Sequence, residues 1–183
     1  MKIKRPRYKT GQLAMLTVLR IIIGWHFLYE GIVKLWNPGW SAAGYLQDSG
    51  GVFAPFFKWL ASAPGLIYTV DTMNVWGLIL IGLSLILGVL SRAGILAGIV
   101  LLAFYYLSHP PIIGADYALP SEGSYLWVNK NLIEMIALAV LYVFPTSRIL
   151  GLDRLIFGDD DEEEIFLTND TPEAFSEKTL IEQ

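Results

Sequence analysis

The sequence contains no cysteine in its 183 residues. Disulfides, thiolate catalysis and cysteine-ligated metals or clusters are therefore excluded within this chain. Histidine is scarce: His26 and His109 are the two present. Charge is sparse as well, with Asp, Glu, Lys and Arg together at 16% of residues. No phosphate-cradling glycine loop, nucleophile elbow or zincin motif occurs, so the common signatures of nucleotide, acyl-transfer and zinc-protease chemistry are missing. The net charge of −4 hides a polarised distribution, basic at the N-terminus and acidic at the C-terminus.

Apolar residues are abundant. They make up 54% of the chain, and mean hydropathy is +0.50, above the usual share of a soluble domain. The length suits several membrane spans and one long loop, without room for a second large domain. A bilayer offers no partner to unpaired amides, so spanning backbone must be helical. The expected fold is all-α: a polytopic membrane protein built as a four-transmembrane-helix bundle over residues 13–145. The expected spans are residues 13–36, 73–90, 93–108 and 126–144. Residues 37–72 form an aromatic-rich outer loop, with short interfacial helices expected at 41–47 and 53–61. Residues 146–158 read as a juxtamembrane segment, and residues 159–183 as an acidic, disordered tail.

Residues 1–12 carry Lys2, Lys4, Arg5, Arg7 and Lys9 ahead of an apolar run, as a signal peptide would. The run is too long for one, lacks a small-residue cleavage site, and contains Glu30 and Lys34. The cluster is read instead as the cytoplasmic flank of the first span. Arg92, Arg148, Arg154 and Lys178 fall on the same side, whereas the outer loops hold Lys58 alone, with Lys34 at the boundary. That asymmetry predicts both termini in the cytoplasm.

The first span carries Arg20, His26, Glu30 and Lys34, which are costly in hydrocarbon and rarely face lipid. At about 100° per residue, all four fall within an arc of about 120°, with Val18, Ile21, Trp25, Leu28 and Ile32 opposite. One reading is a polar site inside the bundle; the other is an ion-pair network locking helices together. Under the expected topology, Lys34, Asn74, His109 and Lys130 gather at the outer end, with Glu30 and Glu134 about one turn deeper and His26 nearer the midplane. Arg20 lies in the inner half. The candidate catalytic residues are Glu30, Glu134 and His26. The candidate binding residues are Lys34, Lys130, Asn74, Asn131, His109 and Arg20. A metal held by His26, Glu30 and His109 would compete with neighbouring lysines, so no metal is expected.

Several stretches resemble the DoxX family, most closely its DoxD-like branch. These are Arg20, Gly24, Gly31 and Lys34 in span one, W-S-A-A-G-Y-L at residues 40–46, GLSLILGVLSR at 82–92, N-K-N-L-I-E at 129–134 and G-L-D at 151–153. The resemblance runs over about residues 13–155 and leaves out the acidic tail. It implies a bacterial inner-membrane protein of the thiosulfate:quinone oxidoreductase small-subunit type, an oxidoreductase component with quinone as its cofactor. The expected partners are the lipid bilayer and a second membrane or extracytoplasmic redox subunit. A homo-oligomer is left open, and nucleic acid is not expected. The alternatives are a non-catalytic anchor for a partner protein and a small-solute carrier.

Overall fold

The computed structural model describes residues 8–112, 117–119 and 126–157. The basic residues before Tyr8, most of the loop between the third and fourth long helices, and the acidic run lie outside the described residues. Among the described residues, seven helices appear in chain order: α1 (Thr10–Leu35), α2 (Ala43–Gln47), α3 (Ala54–Ser62), α4 (Pro64–Leu87), α5 (Ser91–Ser108), α6 (Lys130–Val143) and α7 (Asp153–Phe157).

Three of these, α1, α4 and α5, are long and apolar enough to cross a membrane. Large apolar side chains such as Ile22, Trp25, Leu80, Val100, Phe104 and Ile133 stand exposed along the long helices. A water-soluble protein rarely exposes so much contiguous apolar surface, and a bilayer gives it a partner. The chain is thus a membrane protein, all-helical among the described residues. Ile23, Phe27, Leu78, Leu85, Leu102 and Leu138 meet in a core shared by α1, α4, α5 and α6.

Element boundaries follow local chemistry as much as hydropathy. α4 begins at Pro64, well before the apolar run at residue 73. Proline at the first helical position lacks only an amide that no helical partner would have used. The outer loop is correspondingly shorter than hydropathy suggests. α4 ends where Gly88 takes a left-handed conformation at φ 67°. α6 starts at Lys130, not at residue 126, because the Asn129 side chain accepts from Leu132 N at 3.0 Å and caps the helix. Leu126 and Trp127 before it have positive φ and belong to a turn.

The buried stripe of α1 runs through Leu13, Arg20, Gly24, Phe27 and Gly31. It is rotated by about 60° from the centre of the charged arc, so Arg20 falls within it while His26, Glu30 and Lys34 lie along its edge. Close approach to α4 explains the rotation. A Cβ on Gly82 would stand 2.6 Å from Leu28 N and 2.7 Å from Gly24 O, and a Cβ on Gly31 would stand 2.7 Å from Ile79 Cγ1. Backbones can meet this closely only where side chains are missing.

Candidate functional site

The polar residues of the sequence sort into three groups. The first surrounds a cavity of about 170 Å³ near the C-terminal end of α1. α1 contributes His26, Glu30 and Lys34 to its wall, α4 contributes Asn74, α5 contributes Tyr105, and α6 contributes Lys130 and Asn131. Trp40, Ser41, Ala42 and Tyr45 roof it from the segment around α2. Phe27, Leu78 and Leu102 form an apolar floor.

The spacing on α1 sets the order of groups in the wall. Glu30 and Lys34 sit one turn apart, with Lys34 Nζ 3.5 Å from Glu30 Oε2. Lys34 also donates to Asn74 Oδ1 at 3.4 Å. Asn74 Nδ2 in turn donates to the Tyr105 hydroxyl at 2.6 Å. A chain of polar contacts thus crosses from α1 through α4 to α5. Lys34 Nζ stands 5.3 Å from the centre of the Trp40 ring and 5.7 Å from that of Tyr105, so two aromatic faces help hold the cation.

One turn below Glu30, His26 Nδ1 lies 2.8 Å from Glu134 Oε1. With Glu134 ionised, Nδ1–H donates to the carboxylate, leaving Nε2 as the acceptor; with Glu134 protonated, the roles reverse. The Glu134 side chain is 10% exposed and that of His26 is 31% exposed. His26 Nε2 and Glu134 Oε2 are both buried without a hydrogen-bond partner. His26 lines the cavity and Glu134 stands behind it, outside the lining, so a proton shared by the pair reaches the cavity wall through His26.

His109 does not line this cavity; it forms a second group above the roof. Its ring stacks on Tyr45 at 4.0 Å between centroids, and its Nε2 lies 3.6 Å from Asp48 Oδ2. Asp48 accepts from the amides of Leu119 at 3.0 Å and Ala118 at 3.1 Å. Those two amides hold the Asp48 carboxyl below its ordinary range. Burial pushes the His109 imidazole down, and the Asp48 charge opposes that shift. Ser49 Oγ and Ser108 Oγ meet at 2.7 Å, and Gly50 N donates to Ser108 O at 3.0 Å. This group is a clasp that pins the roof.

Arg20 belongs to a third group at the opposite end of α1. It is 3% exposed; Nη1 donates to Thr146 Oγ1 at 3.1 Å and Nη2 to Leu150 O at 2.6 Å. Beside it, Asp153 accepts from Leu90 N at 2.6 Å and from Ser91 Oγ at 2.8 Å. Burial alone would raise the Asp153 carboxyl, but hydrogen bonds from Ser147 and Ser91 outweigh it and hold the group low. The tight α4–α5 turn, in which Leu90 has φ 48°, is thus fastened from a distant part of the chain. Arg20 here is a structural lock.

Trp40 and Tyr45 were visible in the sequence only as part of the aromatic-rich outer loop, and Tyr105 only as an unmarked residue of the third expected span; nothing marked them as walls. Asp48, Asp71 and Asp153 gave no signal of their own beyond Asp153's place in G-L-D. Among the described residues, no group of three or more metal-ligating side chains stands together. The fold and the cavity define the class: a helical membrane protein with a polar pocket near one end of its bundle. Comparison with protein families, with characterised proteins and with solved structures finds no match.

Proposed function

We propose that the protein is a quinone-linked redox subunit of a bacterial cytoplasmic membrane, with four spans and both termini inside. The observation that carries this reading is the His26–Glu134 pair at 2.8 Å, whose histidine lines a pocket with Lys34, Asn74 and Tyr105 among its other polar groups. The resemblance of the W-S-A-A-G-Y-L, N-K-N-L-I-E and G-L-D stretches to the DoxX family points the same way.

The residues suit a quinone head group. Because Tyr105 accepts from Asn74, its own hydroxyl hydrogen is available to a carbonyl oxygen in the cavity. Lys34 supplies positive charge at the same end, and Phe27, Leu78 and Leu102 suit the ring. A bound quinone supplies two-electron acceptance coupled to uptake of two protons. Glu134 holds a proton behind His26, and His26 moves it toward the cavity. Glu30, one turn above His26 in the same wall, takes part in moving the second proton. The electrons come from a reduced donor carried by a partner subunit.

The fourth span of this reading is α6. Its 14 residues cover about 21 Å, less than a full hydrocarbon core. Its packing against α1 and α5 supports a place inside the bundle. The Lys and Arg distribution supports the orientation.

Quinone-dependent turnover in native membranes tests the proposal. Glu134→Gln and Glu30→Gln are expected to lower it by about a hundredfold or more, the usual contribution of a positioned acid or base. Unchanged turnover in both variants refutes it. The competing reading, a non-catalytic anchor, draws on the buried Arg20 lock, and it predicts that charge substitutions disturb assembly with the partner rather than chemistry.

A further inference from the structure

The roof and the side of the pocket differ in how firmly they are closed. The roof is pinned at several points. Ala42 N donates to Asp71 Oδ1 at 2.7 Å, tying α2 to α4. Tyr45 carries the stacked His109 ring, and Ser49 and Gly50 bond to Ser108. A ligand arriving from the water above would have to break these contacts together.

The side between α1 and α6 is different. α1 packs along much of α4, but meets α6 far more sparsely. At that seam the Glu30 side chain is 44% exposed and the His26 side chain 31% exposed, although both line the pocket. The surface next to them is apolar. Ile22, Tyr29 and Val33 lie within about 60° of His26 around α1, and all three are exposed. Ile133 lies about 60° from Lys130 around α6, and it too is exposed. At this seam the half-exposed Glu30 and the exposed Lys130 stand beside lipid-facing apolar side chains, so polar pocket walls adjoin apolar surface here.

We infer that the pocket is loaded sideways from the bilayer through the α1–α6 seam, and that its ligand is an amphiphile whose apolar tail stays in lipid against Val33 and Ile133. The cavity of about 170 Å³ accommodates a head group but not a long chain, so the tail must leave it. Exit upward would place the tail among polar clasp residues. Exit through the seam places it on apolar side chains, where each buried methylene contributes about 0.8 kcal/mol. This inference rests on the reading of the pocket as a quinone-head site, and it narrows the ligand to membrane-resident forms.

The test uses the full chain in lipid nanodiscs and a decyl-tailed benzoquinone as probe. Val33→Trp and Ile133→Trp narrow the seam at lipid-exposed positions, where added bulk leaves the core untouched. Asp71→Ala releases the roof, and Val100→Trp on the outer face of α5 is the control. The seam variants are expected to slow probe association by about tenfold, with Asp71→Ala and Val100→Trp near the wild-type rate. Wild-type rates in both seam variants, or faster association in Asp71→Ala alone, would overturn lateral loading. If the wild-type protein binds no quinone, the quinone reading fails, and the inference is then judged by mass spectrometry of co-purified lipid. Loss of a stoichiometric amphiphile from the seam variants supports it. Equal retention, or no such amphiphile in the wild type, overturns it.

Discussion

Arg20 and His26 share one helix, yet their surroundings assign them opposite tasks. The Arg20 guanidinium is spent on Thr146 and Leu150 O. Arg20→Met is expected to cost about 1–3 kcal/mol through the polar partners left unpaired, and to open residues 146–157 to proteolysis. Thermal unfolding in detergent and limited proteolysis read both effects; quinone binding should persist. His109 gives a second prediction at this scale. Its folded-state pKa lies below the ordinary 6.5, so the clasp is fully stable above 6.5 and loses stability as pH falls from there toward the folded value. Asp48, also held low, acts in the same direction but only at more acidic pH, below its ordinary 3.8. Hydrogen exchange at the Gly50 amide, corrected for intrinsic rate, should therefore speed up on acidification through 6.5, and His109→Phe should abolish that dependence. Exchange protection independent of pH in the wild type would contradict the clasp.

Among the elements, α1 shows what a sequence pattern can and cannot carry. The i, i+4 spacing of His26, Glu30 and Lys34 does put three pocket walls on one side of a helix. What the charged arc does not give is the centre of the buried stripe, which is rotated from it by about 60°. Close packing on α4 is set by glycines, and an arc of charge does not reveal which helix will come nearest. Gly82→Ala is expected to destabilise the protein by about 1–3 kcal/mol, because a Cβ there meets the α1 backbone. Gly77→Ala, with nothing within 4 Å of its Cβ, should be neutral or stabilising by about 1 kcal/mol. Equal effects in the two would argue against a glycine-dependent α1–α4 contact. The start of α6 was legible in principle, since Asn129 stands three residues before the amide it caps. Its 19-residue apolar setting at 126–144 concealed that signal.

At the scale of the whole molecule, hydropathy was enough to reveal a helical membrane protein, because apolar composition and length decide that alone. It was not enough to sort the polar residues. His26, Asn74, Lys130 and Glu134 come from three helices far apart in sequence, and their convergence depends on how those helices pack. Arg20 and His109 had to be separated from them by the same packing. The absence of cysteine makes topology directly measurable by single-cysteine labelling. Lys58→Cys should react with an impermeant maleimide from outside, and Arg92→Cys and Arg148→Cys only after the membrane is opened; any other pattern refutes four spans with both termini inside.

The central claim is that the His26–Glu134 pair exchanges protons with a quinone head in the pocket. Redox-triggered infrared difference spectroscopy of the quinone-loaded protein tests it most directly. The account predicts a carboxyl C=O signal on quinone reduction that vanishes in Glu134→Gln and persists in Asp71→Asn. A carboxyl signal that survives in Glu134→Gln, or its absence from the wild type, would contradict the account.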